Sequence, residues 1–423
     1  MTTILRRPAT TILRRVLAAA ILSVAVFSGQ PAVAEETIKI GYVDPLSGPF
    51  AATGDNFLKV FSYVVELANA KGGPLGRKYE LVPFDSKLQP AEALIALKSI
   101  TDQNMPFVMH CVGSNVGAAM IDGVSKYNAR NPDHRILYLN CGALATELTN
   151  EQCDFWHFRF TANVDQRALA RIKTLPATVK TVYVMNQDYL FGQSVQKATR
   201  RYLAEFRPDV QVVGDELVPF GKVQDFTPYI AKVAATNAQS LVTSLYDRDL
   251  NLLMKAGNDA GLKIRYDVYL AHQPGGPTST GPAGENRLTS IMEFHDNVPV
   301  EEHNEAAEKF VNGFQPRANF NFIPLDYVVM FDMLTAAINK AGSTDALKVA
   351  LAMEGLKVTD MMGDANEMRA SDHQLLSPLH EAIFTRGVKY DAEKTGLGWR
   401  SEAKLTGADL TLPTSCKMKR PTL

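Results

Sequence analysis

Along the chain, short runs of β-branched and aromatic residues alternate with longer stretches whose apolar residues recur every three or four positions. The first run, Thr37 to Val43, predicts a strand. The stretch after it carries Phe57, Val60, Phe61, Val64, Leu67 and Ala68 on one helical stripe and stops at Gly72-Gly73, which predicts a helix packed against a sheet. Further strands are expected at Tyr79 to Phe84, Pro106 to His110, Ile136 to Asn140, Thr181 to Met185, Gln211 to Gly214, Ser240 to Leu245 and Asp267 to Ala271. Helical stretches lie between most of them. Such alternation predicts an α/β fold with parallel sheets covered on both faces, because each parallel strand needs a crossover to restart from the same end.

Two segments read as crossings between lobes: Asp154 to Asn163, and the glycine- and proline-rich Pro274 to Gly284. A long helix, Leu325 to Ala341, then returns to the first lobe, and a last strand, His380 to Thr385, to the second. The expectation is two doubly wound lobes joined by a multi-strand hinge, with residues 35–155 and 277–345 in lobe 1 and 156–276 and 346–423 in lobe 2.

The N-terminus changes the picture of where the chain works. Arg6, Arg7, Arg14 and Arg15 precede an apolar run from Val16 to Ser28 and then Ala32-Val33-Ala34, the pattern of a signal peptide cleaved after Ala34. The run is shorter than the roughly 20 residues that span a bilayer. The expected location is the periplasm. Without the leader's four arginines the balance is 40 basic against 45 acidic residues, net −5, and nothing in it is built to neutralise a nucleic acid.

Four cysteines, Cys111, Cys141, Cys153 and Cys416, sit in a chain bound for an oxidising compartment. Cys141 and Cys153, which bracket Gly142 to Gln152, are the candidate disulfide, with two buried free thiols as the alternative. The pairing of Cys111 and Cys416 stays open.

Five segments carry a combined signal: Ile38-Lys39-Ile40-Gly41 with Leu46-Ser47-Gly48-Pro49-Phe50 and Gly54-Asp55; Asn69-Ala70-Lys71-Gly72-Gly73 with Leu75-Gly76-Arg77; Asn186-Gln187-Asp188-Tyr189-Leu190-Phe191-Gly192-Gln193-Ser194; Asp249-Leu250 through Gly261-Leu262; and Met368-Arg369-Ala370-Ser371-Asp372-His373-Gln374. Together, in this order, they resemble the type I periplasmic binding proteins of the leucine/isoleucine/valine-binding family. The resemblance covers nearly the whole chain beyond the leader. It implies capture of a small organic solute, an amino acid or a related organic or aromatic acid, for the permease subunits of an ABC importer, by a monomer without cofactor.

In doubly wound sheets ligands sit at the carboxyl ends of the strands. Gly113-Ser114-Asn115 lies there, where backbone N–H groups and the Ser114 hydroxyl suit a carboxylate, a use the resemblance also implies. A plain helix cap is the other reading. Ala143 and Leu144 match a family loop that usually supplies a hydroxyl, and Leu144 lacks one. Thr53 stands where leucine-binding members carry an aromatic residue, and Phe191 where amino-acid binders usually have Tyr. Tyr189 and Phe191 are expected to close over the ligand, with Tyr246 and Asp247 beside them. His272 and Gln273 fall near the family's acidic, ammonium-binding position without supplying the acid, so an amine on the ligand would fall to Asp247.

Chemistry beyond binding finds no motif. Gly113-Ser114-Asn115-Val116-Gly117 is not G-x-S-x-G, there is no Walker A loop, and the eight histidines are scattered without a zinc spacing. A non-enzyme without metal is expected. The alternative role is a ligand-sensing receptor module that feeds a signalling partner.

Overall fold

The computed structural model describes residues 37–322 and 324–421, so the expected leader lies outside the described residues. Five parallel strands form a first sheet: β1 (Ile38–Asp44), β2 (Tyr79–Asp85), β3 (Phe107–His110), β4 (Leu137–Asn140) and β5 (His157–Arg159), in the order β2-β1-β3-β4-β5. Every residue of β3, β4 and β5 is buried, as helices on both faces require. Helices α1 (Ala51–Ala70), α2 (Pro90–Asp102) and α3 (Ser114–Arg130) make the crossovers.

After β5 the chain passes through Phe160 to Asn163 and enters α4 (Val164–Thr174). Asn163 caps that helix in a reciprocal box with Gln166, its side chain accepting from the Gln166 N–H while the Gln166 side chain accepts from the Asn163 N–H. The second sheet then builds from β6 (Thr181–Gln187), β7 (Gln211–Val218), β8 (Ser240–Thr243), β9 (Arg265–Val268) and β10 (Leu288–Met292). Helices α5 (Leu190–Phe206), α6 (Thr227–Ala234) and α7 (Asp247–Asp259) join its first four strands.

A small antiparallel sheet of β11 (Lys357–Thr359), β12 (Ala365–Met368) and β13 (Leu375–Leu376) precedes β14 (Leu379–Thr385) and β15 (Gly398–Leu405). These last two strands extend the second sheet antiparallel, giving the order β15-β14-β10-β9-β8-β6-β7.

Three observations differ from the expectations. Leu288–Met292, expected within the first lobe, pairs with β9 and β14 in the second sheet. The glycine-rich segment before it is a short helix, Gly276–Thr280, and a tight turn, Gly281–Gly284, that return the chain to the same sheet. The passage back to the first lobe comes after β10 instead. There Phe310 packs on Tyr63 of α1, ring centroids 5.3 Å apart, and the Tyr63 hydroxyl donates to the Phe310 carbonyl at 2.8 Å.

The third difference is covalent. The disulfides are Cys111–Cys141 and Cys153–Cys416, with Cα separations of 4.5 and 5.7 Å, and Cys141–Cys153 is not formed. The reason is the parallel register: His110 lies opposite Asn140, so the residues that follow the two strand ends are neighbours although 30 apart in sequence. The loop after Cys141 carries Cys153 away to the C-terminal tail. There Asn150 Oδ1 accepts from the Ser415 N–H at 3.0 Å, and Arg420 pairs with Glu354.

Helix α4 is tied to the second sheet by the fully buried Arg171, which donates to Asp267, Thr289 and the Val268 carbonyl and pairs with Glu381. Those acceptors compensate a guanidinium that burial alone would disfavour.

Peptide mapping without reductant is expected to recover Cys111 joined to Cys141 and Cys153 joined to Cys416. Replacing Cys153 and Cys416 by Ser is expected to cost about 2–5 kcal/mol of stability, read by urea unfolding. A Cys141–Cys153 peptide, or an unchanged unfolding midpoint, would contradict this arrangement.

Candidate ligand-binding site

The carboxyl ends of β1, β3 and β4 in one lobe and of β6, β8, β9 and β10 in the other converge on one cavity. Its first-lobe wall begins with the Cys111–Cys141 disulfide and continues through Val112, Gly113 and Ser114, with Gly142 and Leu144 beside it. Gly113 has φ 98°, and a Cβ there would meet Leu88 at 2.6 Å, so glycine is what lets the chain turn into α3. Ser114 is buried, and its Oγ accepts from the Ala145 N–H at 3.1 Å. Its proton is left for a ligand oxygen, beside the unbonded N–H groups of the helix's first turn.

The turn is held from behind by Asp44, at the end of β1. Its Oδ1 accepts from the N–H groups of Cys111 at 3.1 Å and Val112 at 2.7 Å, and its Oδ2 has no partner among the described residues. Burial pushes the Asp44 carboxyl up to about 7. Neighbouring His110 is bonded to the Val112 carbonyl by Nε2 at 2.8 Å and to the Tyr138 hydroxyl by Nδ1 at 2.9 Å, and burial lowers it to about 4. It is therefore a neutral support for the same turn at physiological pH.

Across the cavity, Tyr189, Phe191 and Tyr246 form the aromatic wall of the second lobe. Gly192 places the first two: a Cβ there would fall 1.8 Å from the Gln187 carbonyl oxygen, so only glycine allows α5 to start this close to β6. Tyr189 stacks on Phe220 at 4.2 Å and donates to the Tyr246 hydroxyl at 3.2 Å. Phe50 of the first lobe reaches the same cluster, 4.9 Å from Phe220 and 5.8 Å from Tyr246. Thr53 donates to Asp247, and the Thr146 N–H donates to Ser194 Oγ at 3.2 Å. These contacts join the lobes around the cavity.

Of the residues singled out in the sequence, Thr53, Gly113, Ser114, Leu144, Tyr189, Phe191, Tyr246, His272 and Gln273 all line the cavity. Three stand outside its wall. Asn115 is exposed; Ala143 is buried, with its carbonyl accepting from Asn140 and Arg159; Asp247 is engaged with Thr53. His272 bonds Ser290 at 2.8 Å through Nδ1 and is lowered by burial to about 3, so it is neutral across the physiological range.

The sequence reading missed a polar group on the opposite wall, Thr161, Arg167 and Glu293, together with Tyr327. Glu293 follows β10 and is 3% exposed. Its Oε1 pairs with Arg167 and accepts from Thr161 Oγ1 at 2.6 Å. Tyr327 stacks on Phe61 at 4.3 Å. A signal for Glu293 existed: it is an acid directly after Leu288 to Met292, a short run with three apolar residues and a β-branched threonine that suits a strand.

Two sheets whose strand ends enclose one polar and aromatic cavity define a two-lobed binding protein. The periplasmic binding protein family matches residues 37–388, and the chain belongs to that family. It is 31% identical over 420 residues to the Leu/Ile/Val-binding protein homolog 4 of Brucella abortus, covering 96% of this chain and 97% of that one. Among solved structures it is similar to the closed leucine-, isoleucine-, valine-, threonine- and alanine-binding protein of Brucella ovis, with a TM-score of 0.81 and 29% identity over 91% of this chain and 100% of that one. It also shares the fold of a Rhodopseudomonas palustris solute-binding protein in complex with p-hydroxybenzoic acid, with a TM-score of 0.74 and 17% identity over 88% and 98% of the two chains. No helix among the described residues is long and apolar enough to cross a membrane.

Asp44 generates a pH prediction. Its folded pKa of about 7 lies above the unfolded value of 3.8, so between these the folded state holds a proton that the unfolded state has lost. This group's contribution to stability therefore falls as pH rises from about 4 to about 7. Asp44→Asn keeps an oxygen for the Cys111 and Val112 N–H groups and removes the titration. The melting temperature of the variant relative to wild type is expected to rise between pH 5 and pH 8; a constant difference would show that Asp44 does not titrate there.

Proposed function

We propose that the protein captures a small organic acid, an amino acid or an aromatic acid, between its lobes and delivers it unchanged to the permease of an ABC importer. The observation that carries this reading is the cavity itself. A buried serine at a helix start faces it from one lobe and three aromatic rings face it from the other. The first suits a carboxylate and the second an apolar body. Family membership and the names of the relatives support the same class of solute.

On this reading Gly113 and Ser114 hold the carboxylate, while Leu144, Tyr189, Phe191 and Tyr246 enclose the remainder, with Thr53, His272 and Gln273 at its margins. Ala143 orders the loop from behind through its carbonyl, and Asp247 acts at the mouth, where its bond to Thr53 links the lobes. Closing the lobes dries the cavity and strengthens each charge-assisted bond. The permease then reads the closed form, so the ligand's preference for closed over open is the transport signal. The basic, apolar leader directs the chain to the periplasm, where a monomer would work without metal or cofactor.

A thermal-shift screen of residues 35–423 against amino acids, aromatic acids, dicarboxylates and amides tests the reading. A solute at 100 times its Kd is expected to add about 2.7 kcal/mol of stability. Ser114→Ala is expected to weaken a carboxylate ligand by about 10- to 100-fold in calorimetry, the value of a hydrogen bond to a charged group. No saturable hit, or a hit indifferent to Ser114, would count against it.

A further inference from the structure

Beyond the carboxyl ends of β9 and β10, two cavity-lining residues each hold a buried acceptor without a donor. Glu293 Oε2 and Gln273 Oε1 are both shielded from water, both belong to cavity-lining residues, and neither has a hydrogen-bond partner among the described residues. Unmet buried acceptors are costly, and for a carboxylate oxygen more so than for an amide. A ligand carboxylate cannot relieve them, since it brings only further acceptors. A ligand N–H group can.

Arg167 does not turn this end of the cavity into an anion site. Its Nε donates to the Ala162 carbonyl at 3.2 Å and its Nη1 to the Ile291 carbonyl at 3.1 Å, while its Nη2 reaches Thr161 Oγ1 at 3.2 Å and Glu293 Oε1. These bonds use four of a guanidinium's five N–H groups. They fix the carboxylate by one oxygen and leave the other unclaimed. Thr161 adds its hydroxyl to the same Oε1 at 2.6 Å. Asp247, the acid the sequence offered for an amine, is committed to Thr53 and does not line the cavity.

We propose that Glu293, oriented by Arg167 and Thr161 and assisted by Gln273, receives the ligand's ammonium group and thereby selects amino acids over amine-free acids of the same shape. This deepens the solute-capture reading and rests on it. The ligand then bridges the lobes, its carboxylate at Ser114 on the first and its ammonium at Glu293 beyond the end of β10 on the second. An amine-free acid engages only the first and leaves Oε2 buried without a partner.

The test is calorimetric titration of wild type and Glu293→Gln with L-alanine, L-valine, L-leucine and L-phenylalanine, each beside the same acid lacking the amine, and with benzoate and 4-hydroxybenzoate. Wild type is expected to prefer the best amino acid over its amine-free partner by about 100-fold or more, the loss of a charge-assisted bond together with an acceptor left buried and unpaired. Glu293→Gln is expected to lose most of that preference, through weaker binding of the amino acid, while still binding the amine-free acid saturably, which also shows that the variant is folded. Should it not fold, Glu293→Asp keeps a carboxylate for Arg167 on a shorter stem and is expected to show the same selective loss.

The assignment is overturned if either variant keeps the preference, or if wild type binds benzoate, 4-hydroxybenzoate or the amine-free acids as tightly as amino acids. In those cases solute capture itself stands. If wild type binds no member of any series, the capture reading falls and this assignment with it.

Discussion

A guanidinium without a carboxylate partner among the described residues sits where the two lobes meet. Arg159 ends β5 and is fully buried. Its N–H groups are spent on neutral acceptors: Gln374 Oε1 at 2.7 Å, the carbonyls of Ala145 at 2.7 Å and Ala143 at 3.2 Å, and the Thr149 hydroxyl. Burial lowers its pKa to about 9, still far enough above neutrality to keep the charge. One side chain thus ties the loop that lines the first-lobe wall to two of the strands of chain that pass between lobes. Gln374 completes the tie by donating to the Thr161 carbonyl at 2.8 Å, next to the residues that orient Glu293. The shape of both ends of the cavity depends on this junction being rigid.

Each lobe has its own version of the same economy. In the first, Asp44 and the neutral His110 clamp the turn before Ser114 from behind. In the second, Arg171 gathers Asp267 and Glu381 beneath the strands that deliver His272 and Glu293. The polar groups that shape the walls are largely bonded within the protein, so the few free ones are informative about what must arrive from outside.

The strand from Thr181 and the helical stripe from Phe57 to Ala68 were legible because β-branched runs and three-to-four spacing are local properties. So were Tyr189 and Phe191, which follow a strand end and open a helix. Leu288–Met292 was obscured because every position in it is buried, leaving no alternation, and because the glycines before it suggested a departure from the sheet. The Arg167–Glu293 pair joins residues 126 apart, from a helix and a strand end with no motif around either. The disulfides were misjudged for a related reason. Short spacing favours closure in a free chain, but parallel pairing sets distant residues side by side, and that register is a property of the sheet.

The Cys153–Cys416 bridge closes a covalent ring of most of the folded chain, with a sequence separation of 263. The ring contains the whole second sheet and the return segments of the first lobe. A single backbone cut anywhere inside it by a protease would open the ring without releasing a fragment. Both pieces would stay joined through one sulfur link and remain at high effective concentration for each other, so the nicked molecule could keep its paired lobes.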